Sequence, residues 1–279
     1  MTFAPDQGAS GFDSQLEQGG LIVLPGAPFR LASEEADLLS PRVSDGRAKN
    51  ISLSPDGAVR GAAADPAARR RLGRLMGRYR DWAAGAVAGA APRYAGALRP
   101  GRTSLRTREV AEGAESRRKD DRLLHVDAFA SLPTGGGRIL RVFTNINPDG
   151  EPRLWRVGEP FEAYARRWVG RVRPPWPGEA RLLRALGVTR ALRSPYDALM
   201  LGLHDAAKLD GAYQAAAPAR EVSFPAGASW LVFTDCVVHA ALRGRFMLEQ
   251  TFTLPLSAMA HPDLAPQRVL ERLTGRSLA

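Results

Sequence analysis

A closely spaced pair of metal-binding side chains, His125 and Asp127, constrains the fold of this 279-residue chain more than any other feature. Residues i and i+2 of a β-strand point to the same face, so both side chains can bind one ion if this segment is a strand. A third ligand is available in His239, which follows an apolar strand and a turn predicted within residues 224–238. Two imidazoles and one carboxylate bind one face of a non-haem Fe(II) ion and leave its other positions open for oxygen chemistry. The sequence therefore predicts an iron site formed by two strands that lie across a barrel from each other.

The segment that follows Asp127 has the pattern of a β-hairpin. Three consecutive glycines at positions 135–137 form a turn signal, and an apolar stretch at 138–146 ends at an Asn-Pro-Asp-Gly turn. A strand, a glycine-rich turn and a second strand, with a histidine on a later strand, are typical of a double-stranded β-helix oxygenase. We therefore expect a mostly β fold with flanking helices, built on a double-stranded β-helix (jelly-roll) oxygenase core.

Length and composition favour one large domain. The chain is long enough to bury a sizeable core, and 44% of its residues are hydrophobic. Residues 1–18 are rich in Gly, Ser, Gln and Asp without any periodicity, which predicts a disordered N-terminus. Residues 19–279 are expected to form a single jelly-roll dioxygenase domain, with a helical insertion around residues 160–210 that separates the two halves of the barrel.

Cysteine usage and charge limit the classes of partner and compartment. The single cysteine, Cys236, excludes an internal disulfide and fits a reducing compartment. The absence of a signal peptide and of an apolar stretch of about 20 residues predicts a cytoplasmic protein without a transmembrane segment. The formal net charge of +10, mostly from arginine, suits an anionic partner, although a GC-rich genome would give the same bias. Nucleic acid is not expected as the partner, because aromatic and basic residues are not interleaved on any strand face.

A basic amphipathic helix is predicted to begin at Asp65-Pro66, where Asp is the N-cap and Pro is the first helical residue. Arginines, including Arg70 and Arg74, occupy most of its polar face. Two interpretations are open: the apolar stripe packs on the barrel while the arginines are solvated, or the helix lies on an anionic membrane. We favour the packed helix. The stripe consists of Leu72, Leu75, Met76, Tyr79 and Trp82.

Four longer strings, at residues 124–129, 141–148, 158–161 and 248–252, resemble those of the 3-deoxy-D-manno-oct-2-ulosonic acid (Kdo) hydroxylase family. The likeness runs from about residue 20 to residue 276. It implies an Fe(II)/2-oxoglutarate-dependent dioxygenase that uses O2. Its substrate would be carbon 3 of a Kdo sugar in Kdo-lipid A, the inner core of lipopolysaccharide, which becomes Ko. The partner would be met at the cytoplasmic face of the inner membrane, so the enzyme would be peripheral to that membrane.

The resemblance implies that His125, Asp127 and His239 hold the iron. It also implies that a cation deep in the barrel binds the distal carboxylate of 2-oxoglutarate. Arg245, which begins the strand after His239, is the cation we prefer. Arg141 is its rival, because it lies in the middle of a predicted strand on a mixed polar and apolar face.

Three further residues are candidate binding residues. Asn145 shares the predicted face of Arg141 and could donate to the same carboxylate. Glu249 and Thr251 share a face with Arg245 and could bind sugar hydroxyls, or Glu249 could pair with an arginine instead.

Two other functions fit the same residues. One is an Fe(II)/2-oxoglutarate hydroxylase of another anionic substrate, and the other is a non-enzymatic, cupin-like metal-binding module. Release of succinate in the presence of Fe(II) and 2-oxoglutarate would separate an enzyme from such a module. The sequence leaves open the oligomeric state, the dependence on acyl chains and which Kdo residue is modified.

Overall fold

Two antiparallel sheets form the framework of this protein. The structure is a computed structural model, and it describes residues 11–24, 26, 28–110 and 116–278. The seven-stranded sheet has the order β1-β8-β5-β10-β4-β2-β3, and the three-stranded sheet has the order β7-β6-β9. In these orders the strands are numbered along the chain, and the ten strands of the described ranges are β1 (Leu21–Val23), β2 (Ile51–Leu53), β3 (Val59–Arg60), β4 (Arg99–Arg106), β5 (Arg138–Asn145), β6 (Arg153–Val157), β7 (Arg220–Phe224), β8 (Ser229–Phe233), β9 (His239–Arg243) and β10 (Met247–Leu254).

Helices surround the sheets, and four of them lie between β6 and β7 in the chain, where a helical insertion was expected. In the described residues no helix is long and apolar enough to cross a membrane. The α-helices found there are α1 (Phe12–Glu17), α2 (Pro66–Ala90), α3 (Phe161–Trp168), α4 (Glu179–Ala185), α5 (Pro195–Leu209), α6 (Gly211–Ala216) and α7 (Pro266–Thr274).

The N-terminal segment differs from the prediction of disorder over residues 1–18. Residues 1–10 lie outside the described part, but residues 12–17 form α1. Leu16 is fully buried in the main core, and the Glu17 carboxylate accepts hydrogen bonds from the Tyr94 hydroxyl and from the backbone N–H of Ala260. Composition failed to predict this helix because long-range contacts, rather than its own periodicity, hold it in place.

Helix α2 covers the outer face of the seven-stranded sheet, as expected for a packed stripe. Asp65 caps it through its side chain, which accepts a hydrogen bond from the Ala67 backbone N–H. Its stripe packs into a second hydrophobic cluster with Leu105 of β4 and Leu248 of β10, where every stripe residue is buried except the partly buried Trp82. The buried hydroxyl of Tyr79 donates to the backbone carbonyl of Val142, so this helix also contributes a polar contact to the sheet.

Alternation along the strands turns the neighbours of these leucines towards the opposite face. Ser104 and Arg106, on either side of Leu105, line a cavity between the two sheets, as do Met247 and Glu249 on either side of Leu248. The same cavity receives Trp155 and Ala241 from the three-stranded sheet. The cavity therefore lies between the inner faces of both sheets.

The packing of α2 generates a stability prediction. Leu75→Ala should lower the free energy of unfolding by about 2–5 kcal/mol, because it leaves a cavity in place of a fully buried side chain. The neighbouring substitution Arg74→Ala, on the exposed face of the same helix, should change it by less than about 0.5 kcal/mol. Chemical denaturation of both variants measures the difference, and equal effects would contradict the packed position of α2.

Candidate metal centre

Two reciprocal hydrogen bonds join the segments that carry the two histidines. The backbone N–H of His125 donates to the carbonyl of His239 at 3.0 Å, and the N–H of His239 donates back at 2.8 Å. His239 begins β9, whereas His125 forms only an isolated bridge and not the strand that was expected. The two histidines are therefore direct antiparallel neighbours and do not approach each other across a barrel. Their rings lie 4.7 Å apart between centroids.

Asp127 completes the cluster because its backbone is fixed to the turn before β9. Its N–H donates to the carbonyl of Thr234 at 2.8 Å. One ligand atom from each of His125, Asp127 and His239 lies within 4.8 Å of the other two, so these residues could hold one metal ion. The two-residue spacing places both side chains of the pair in the cluster, as predicted.

Hydrogen bonding leaves one nitrogen of each imidazole available. The Nδ1 atom of His125 lies 2.6 Å from the Leu123 carbonyl, and that of His239 lies 2.8 Å from the Val237 carbonyl. A carbonyl oxygen only accepts, so each Nδ1 carries the proton and each Nε2 keeps its lone pair. Burial lowers the pKa of both histidines, which favours the neutral form that binds metals.

The third ligand is a carboxylate at neutral pH. Burial would raise the pKa of Asp127, but several neighbouring groups, Arg141 first among them, together outweigh burial and hold that pKa below its ordinary value. Nε of Arg141 lies 3.1 Å from Oδ2 of Asp127, although neither atom is aligned for a hydrogen bond. Two neutral nitrogens and one charged oxygen match the donor set of a non-haem Fe(II) site.

The cavity beside the cluster has a volume of about 390 Å³ and contains several charged side chains. Arg106 and Lys49 both pair with Asp121, and together they hold the pKa of that partly buried carboxyl below its ordinary value, although burial opposes them. Arg141 pairs with Glu249 as well as with Asp127, at 3.0 Å between Nη1 and Oε1. These cations are thus neutralised by carboxylates of the protein.

Arg153 is the exception among the buried cations of the cavity. Its side chain, 2% exposed, donates from Nη1 to the Gly244 carbonyl at 2.7 Å, while its Nε has no hydrogen-bond partner. No carboxylate among the described residues forms an ion pair with it, and burial lowers its pKa to about 9. Gly244 makes this position possible: its φ is +121°, and a Cβ there would lie 2.8 Å from Cδ of Arg153.

Trp155, two residues along the same strand, also faces the cavity. Its ring stacks on His239 with centroids 5.1 Å apart and an interplanar angle of 22°, and its buried Nε1 has no hydrogen-bond partner. Neither Arg153 nor Trp155 was predicted from the sequence. Period-2 alternation in Arg-Leu-Trp-Arg-Val was the signal that could have identified them.

A third histidine contacts the cluster from the helical insertion. The ring of His204, on α5, meets His125 edge-on with centroids 5.3 Å apart, and its Nδ1 lies 2.9 Å from a carboxylate oxygen of Asp205. Sequence alone did not indicate this contact, because it depends on how α5 packs against the segment that carries His125.

The structure does not bring Arg245 or Asn145 into the cavity, contrary to expectation. Arg245 is 44% exposed at its side chain and pairs with Asp149, outside the residues that line the cavity. The Asn145 amide donates to the backbone carbonyls of Glu151 and Phe224, each at 3.0 Å, and so stabilises the end of the strand. Among the predicted co-substrate residues, Arg141 alone lines the cavity.

Glu249 and Thr251 both line the cavity from β10. Glu249 pairs with Arg141, which is the alternative considered for it, and the Thr251 hydroxyl donates to Glu249 at 3.4 Å. Both side chains therefore line the same cavity as the metal cluster.

Comparisons with known proteins agree with this geometry. The family model described as 3-deoxy-D-manno-oct-2-ulosonic acid (Kdo) hydroxylase matches residues 3–277. A crystal structure of the Kdo hydroxylase KdoO, a non-haem Fe(II) alphaketoglutarate-dependent dioxygenase in complex with alphaketoglutarate and Fe(III), is 43% identical with a TM-score of 0.91. It covers 95% of this chain, which in turn covers 90% of that one.

Two further structures of that enzyme also match. Its apo form is 44% identical with a TM-score of 0.91, and its complex with succinate and Fe(III) is 43% identical with a TM-score of 0.90. Each covers 95% of this chain, and the chain covers 89% of each. A comparison with curated protein sequences finds no match.

The ligand cluster generates a metal-binding prediction. Asp127→Ala should weaken binding of Co(II), a spectroscopic substitute for Fe(II), by at least about a hundredfold, because it removes the charged donor of a three-residue site. His261→Ala, which alters a histidine that lies outside the cluster, should bind Co(II) like the unmodified protein. Titration followed by visible absorption measures both affinities, and an unchanged affinity in Asp127→Ala would exclude the proposed ligand.

Proposed function

The chain belongs to the Kdo hydroxylase family of non-haem Fe(II)/α-ketoglutarate-dependent dioxygenases. We propose that its His125, Asp127 and His239 hold the catalytic iron. α-Ketoglutarate and 2-oxoglutarate are two names of the same compound. Relatives that are 43–45% identical are dioxygenases, so an enzyme is favoured over a non-enzymatic metal-binding module. We also propose that the two sheets are the two walls of a jelly-roll core.

The donor set is suited to iron because it leaves room for small ligands. Each Nε2 and the Asp127 carboxylate face the same cavity, and both histidines are neutral there. When bound, iron and α-ketoglutarate together supply the oxidation that inserts one oxygen atom of O2 into a C–H bond. The protein holds the ligands in position: Trp155 stacks on His239, and the charge of Arg141 helps to keep Asp127 ionised.

The placement of the co-substrate depends on a single observation, namely that the buried guanidinium of Arg153 has no carboxylate partner among the described residues. A buried guanidinium without a carboxylate costs on the order of several kcal/mol, and an anionic ligand would offset that cost. We infer that the distal carboxylate of α-ketoglutarate pairs with Arg153, and that the free Nε1–H of Trp155 donates to the same molecule. Arg141 remains the second candidate, although it already has two carboxylate partners.

The remaining lining combines apolar and polar side chains. Phe143, Ala241 and Met247 are apolar and help to exclude water from the cavity. Glu249 and Thr251 are polar and are proposed to bind sugar hydroxyls. Arg102, exposed at the mouth, adds a positive charge suited to an acidic sugar.

The proposed substrate is a Kdo sugar within Kdo-lipid A, hydroxylated at carbon 3 to give Ko at the surface of the inner membrane. The family supports the sugar, and the net charge of +10 supports a substrate that carries carboxylates and phosphates. Another anionic sugar acid is the alternative, because the same cations would attract it.

The placement of α-ketoglutarate can be tested by substitution. Arg153→Met should weaken α-ketoglutarate binding to the Co(II)-loaded protein roughly thirtyfold or more, since losing a charge-assisted contact to a buried carboxylate costs about 2–5 kcal/mol. Co(II) affinity should stay unchanged, which a collapsed site would not allow. Arg245→Met is the matched control and should bind α-ketoglutarate normally. If Arg141→Met shows the selective loss and Arg153→Met does not, Arg141 is the anchor instead.

The substrate can be tested by mass spectrometry. Incubation with Kdo-lipid A, Fe(II), ascorbate, α-ketoglutarate and O2 should add one oxygen atom to the Kdo unit and release succinate. Free Kdo, which lacks the lipid phosphates, should react more slowly, and added salt should slow the lipid-linked reaction because exposed ion pairs are screened within about 8–10 Å. Oxygen found only on a different acceptor would leave the dioxygenase chemistry standing without this substrate.

A further inference from the structure

Large apolar side chains are exposed mainly in one segment of the helical insertion. Of the nine such residues among those described, five fall within residues 176–192. Leu186 is 68% exposed and Leu192 is 59% exposed. Apolar side chains that are this exposed and lie close together in the chain are typical of an interaction site. The five residues are Trp176, Leu182, Leu186, Val188 and Leu192.

The same segment is strongly basic. Four exposed arginines alternate with its apolar residues, and only Glu179 opposes them between residues 172 and 192. Elsewhere in the protein arginines pair repeatedly with carboxylates, but no ion pair is found for these four within the described part of the chain. They are Arg173, Arg181, Arg184 and Arg190. Together, these four arginines and the five apolar residues are called the docking surface.

The docking surface is joined directly to the mouth of the metal cavity. The backbone N–H of Arg190 donates to the carbonyl of Ser131 at 2.9 Å, and the guanidinium of Arg193 donates to the carbonyl of Ala130 at 2.7 Å. Ala130, Ser131 and the 47% exposed Leu132 all line that cavity. Whatever binds the docking surface is therefore held next to the entrance of the site.

We propose that the docking surface binds an anionic lipid bilayer and so holds the mouth of the metal cavity at the membrane. Tryptophan and leucine beside unpaired arginines are the combination that enters the interface of a bilayer while contacting acidic headgroups. Helix α2, the membrane-facing alternative from the sequence, is unsuitable because its apolar stripe is buried. This proposal rests on the proposed function, because a lipid-linked substrate is the reason for the enzyme to bind a membrane.

Vesicle binding by the full-length protein tests the proposal. The protein should sediment with vesicles that contain phosphatidylglycerol and bind pure phosphatidylcholine vesicles at least about tenfold more weakly. The double variant Arg181→Glu/Arg184→Glu should lose about tenfold or more in affinity for the acidic vesicles. The matched control Arg70→Glu/Arg74→Glu makes the same change in net charge on the exposed face of α2 and should stay within about twofold.

A second pair of variants separates apolar insertion from charge. Leu186→Ser/Leu192→Ser should weaken vesicle binding about tenfold, whereas Leu209→Ser/Leu264→Ser, at two other exposed leucines, should not. All four variants should keep the thermal stability of the unmodified protein, since they alter exposed residues. Absence of vesicle binding, or equal losses in a control and its partner, would overturn the proposal. Concentration-dependent dimers that Leu186→Ser/Leu192→Ser abolishes, without vesicle binding, would assign the surface to a second copy and overturn it too.

The docking proposal and the proposed function fail in distinguishable ways. Vesicle binding through this surface without oxygen transfer to any Kdo acceptor would support docking and contradict the substrate. Hydroxylation of Kdo-lipid A in detergent micelles, with no affinity for acidic vesicles, would support the substrate and overturn docking. In the expected case, both docking-surface variants hydroxylate micellar substrate normally and lose activity only on substrate embedded in vesicles.

Discussion

The paired backbone hydrogen bonds between His125 and His239 are the interaction on which the site depends. They join a segment outside the main ladders to the first residue of β9, and in doing so they place two imidazoles side by side. Each ring is then fixed by a bond from Nδ1 to a carbonyl two residues earlier, so the metal-binding nitrogens are oriented before any ion arrives. A local pairing of two residues thus substitutes for a full strand.

Electrostatics explains why the cavity can hold both a cation and a dicarboxylate. The carboxylates Asp121 and Glu249 neutralise three of the cations that line it, while Arg153 keeps an unpaired charge in a buried position. A buried charge of this kind is costly in the empty protein and favours an anionic occupant. A divalent metal ion held by His125, Asp127 and His239 would keep a net positive charge, because Asp127 is the only anionic ligand, and would in turn stabilise the other end of the same occupant.

Much of the framework and of the metal cluster could be predicted from sequence because both depend on short-range patterns. Alternation and turn signals identified β5 and β8, the cap and stripe identified α2, and two-residue spacing identified His125 and Asp127. The position of Arg245 could not be predicted in this way. Gly244 and Phe246 both have positive φ, so the alternation does not continue from β9 into β10, and Arg245 points outward to Asp149. Arg153 could have been identified from the alternation of β6, but its lack of a carboxylate partner could not, because its contact with Gly244 joins residues distant in sequence.

The most direct test of the account is anomalous diffraction from crystals grown without oxygen in the presence of Fe(II) and α-ketoglutarate. We expect one iron peak bound by Nε2 of His125, a carboxylate oxygen of Asp127 and Nε2 of His239. We also expect α-ketoglutarate to extend from that peak to Arg153. An iron peak elsewhere, or a distal carboxylate paired with Arg245 or left in solvent, would contradict it.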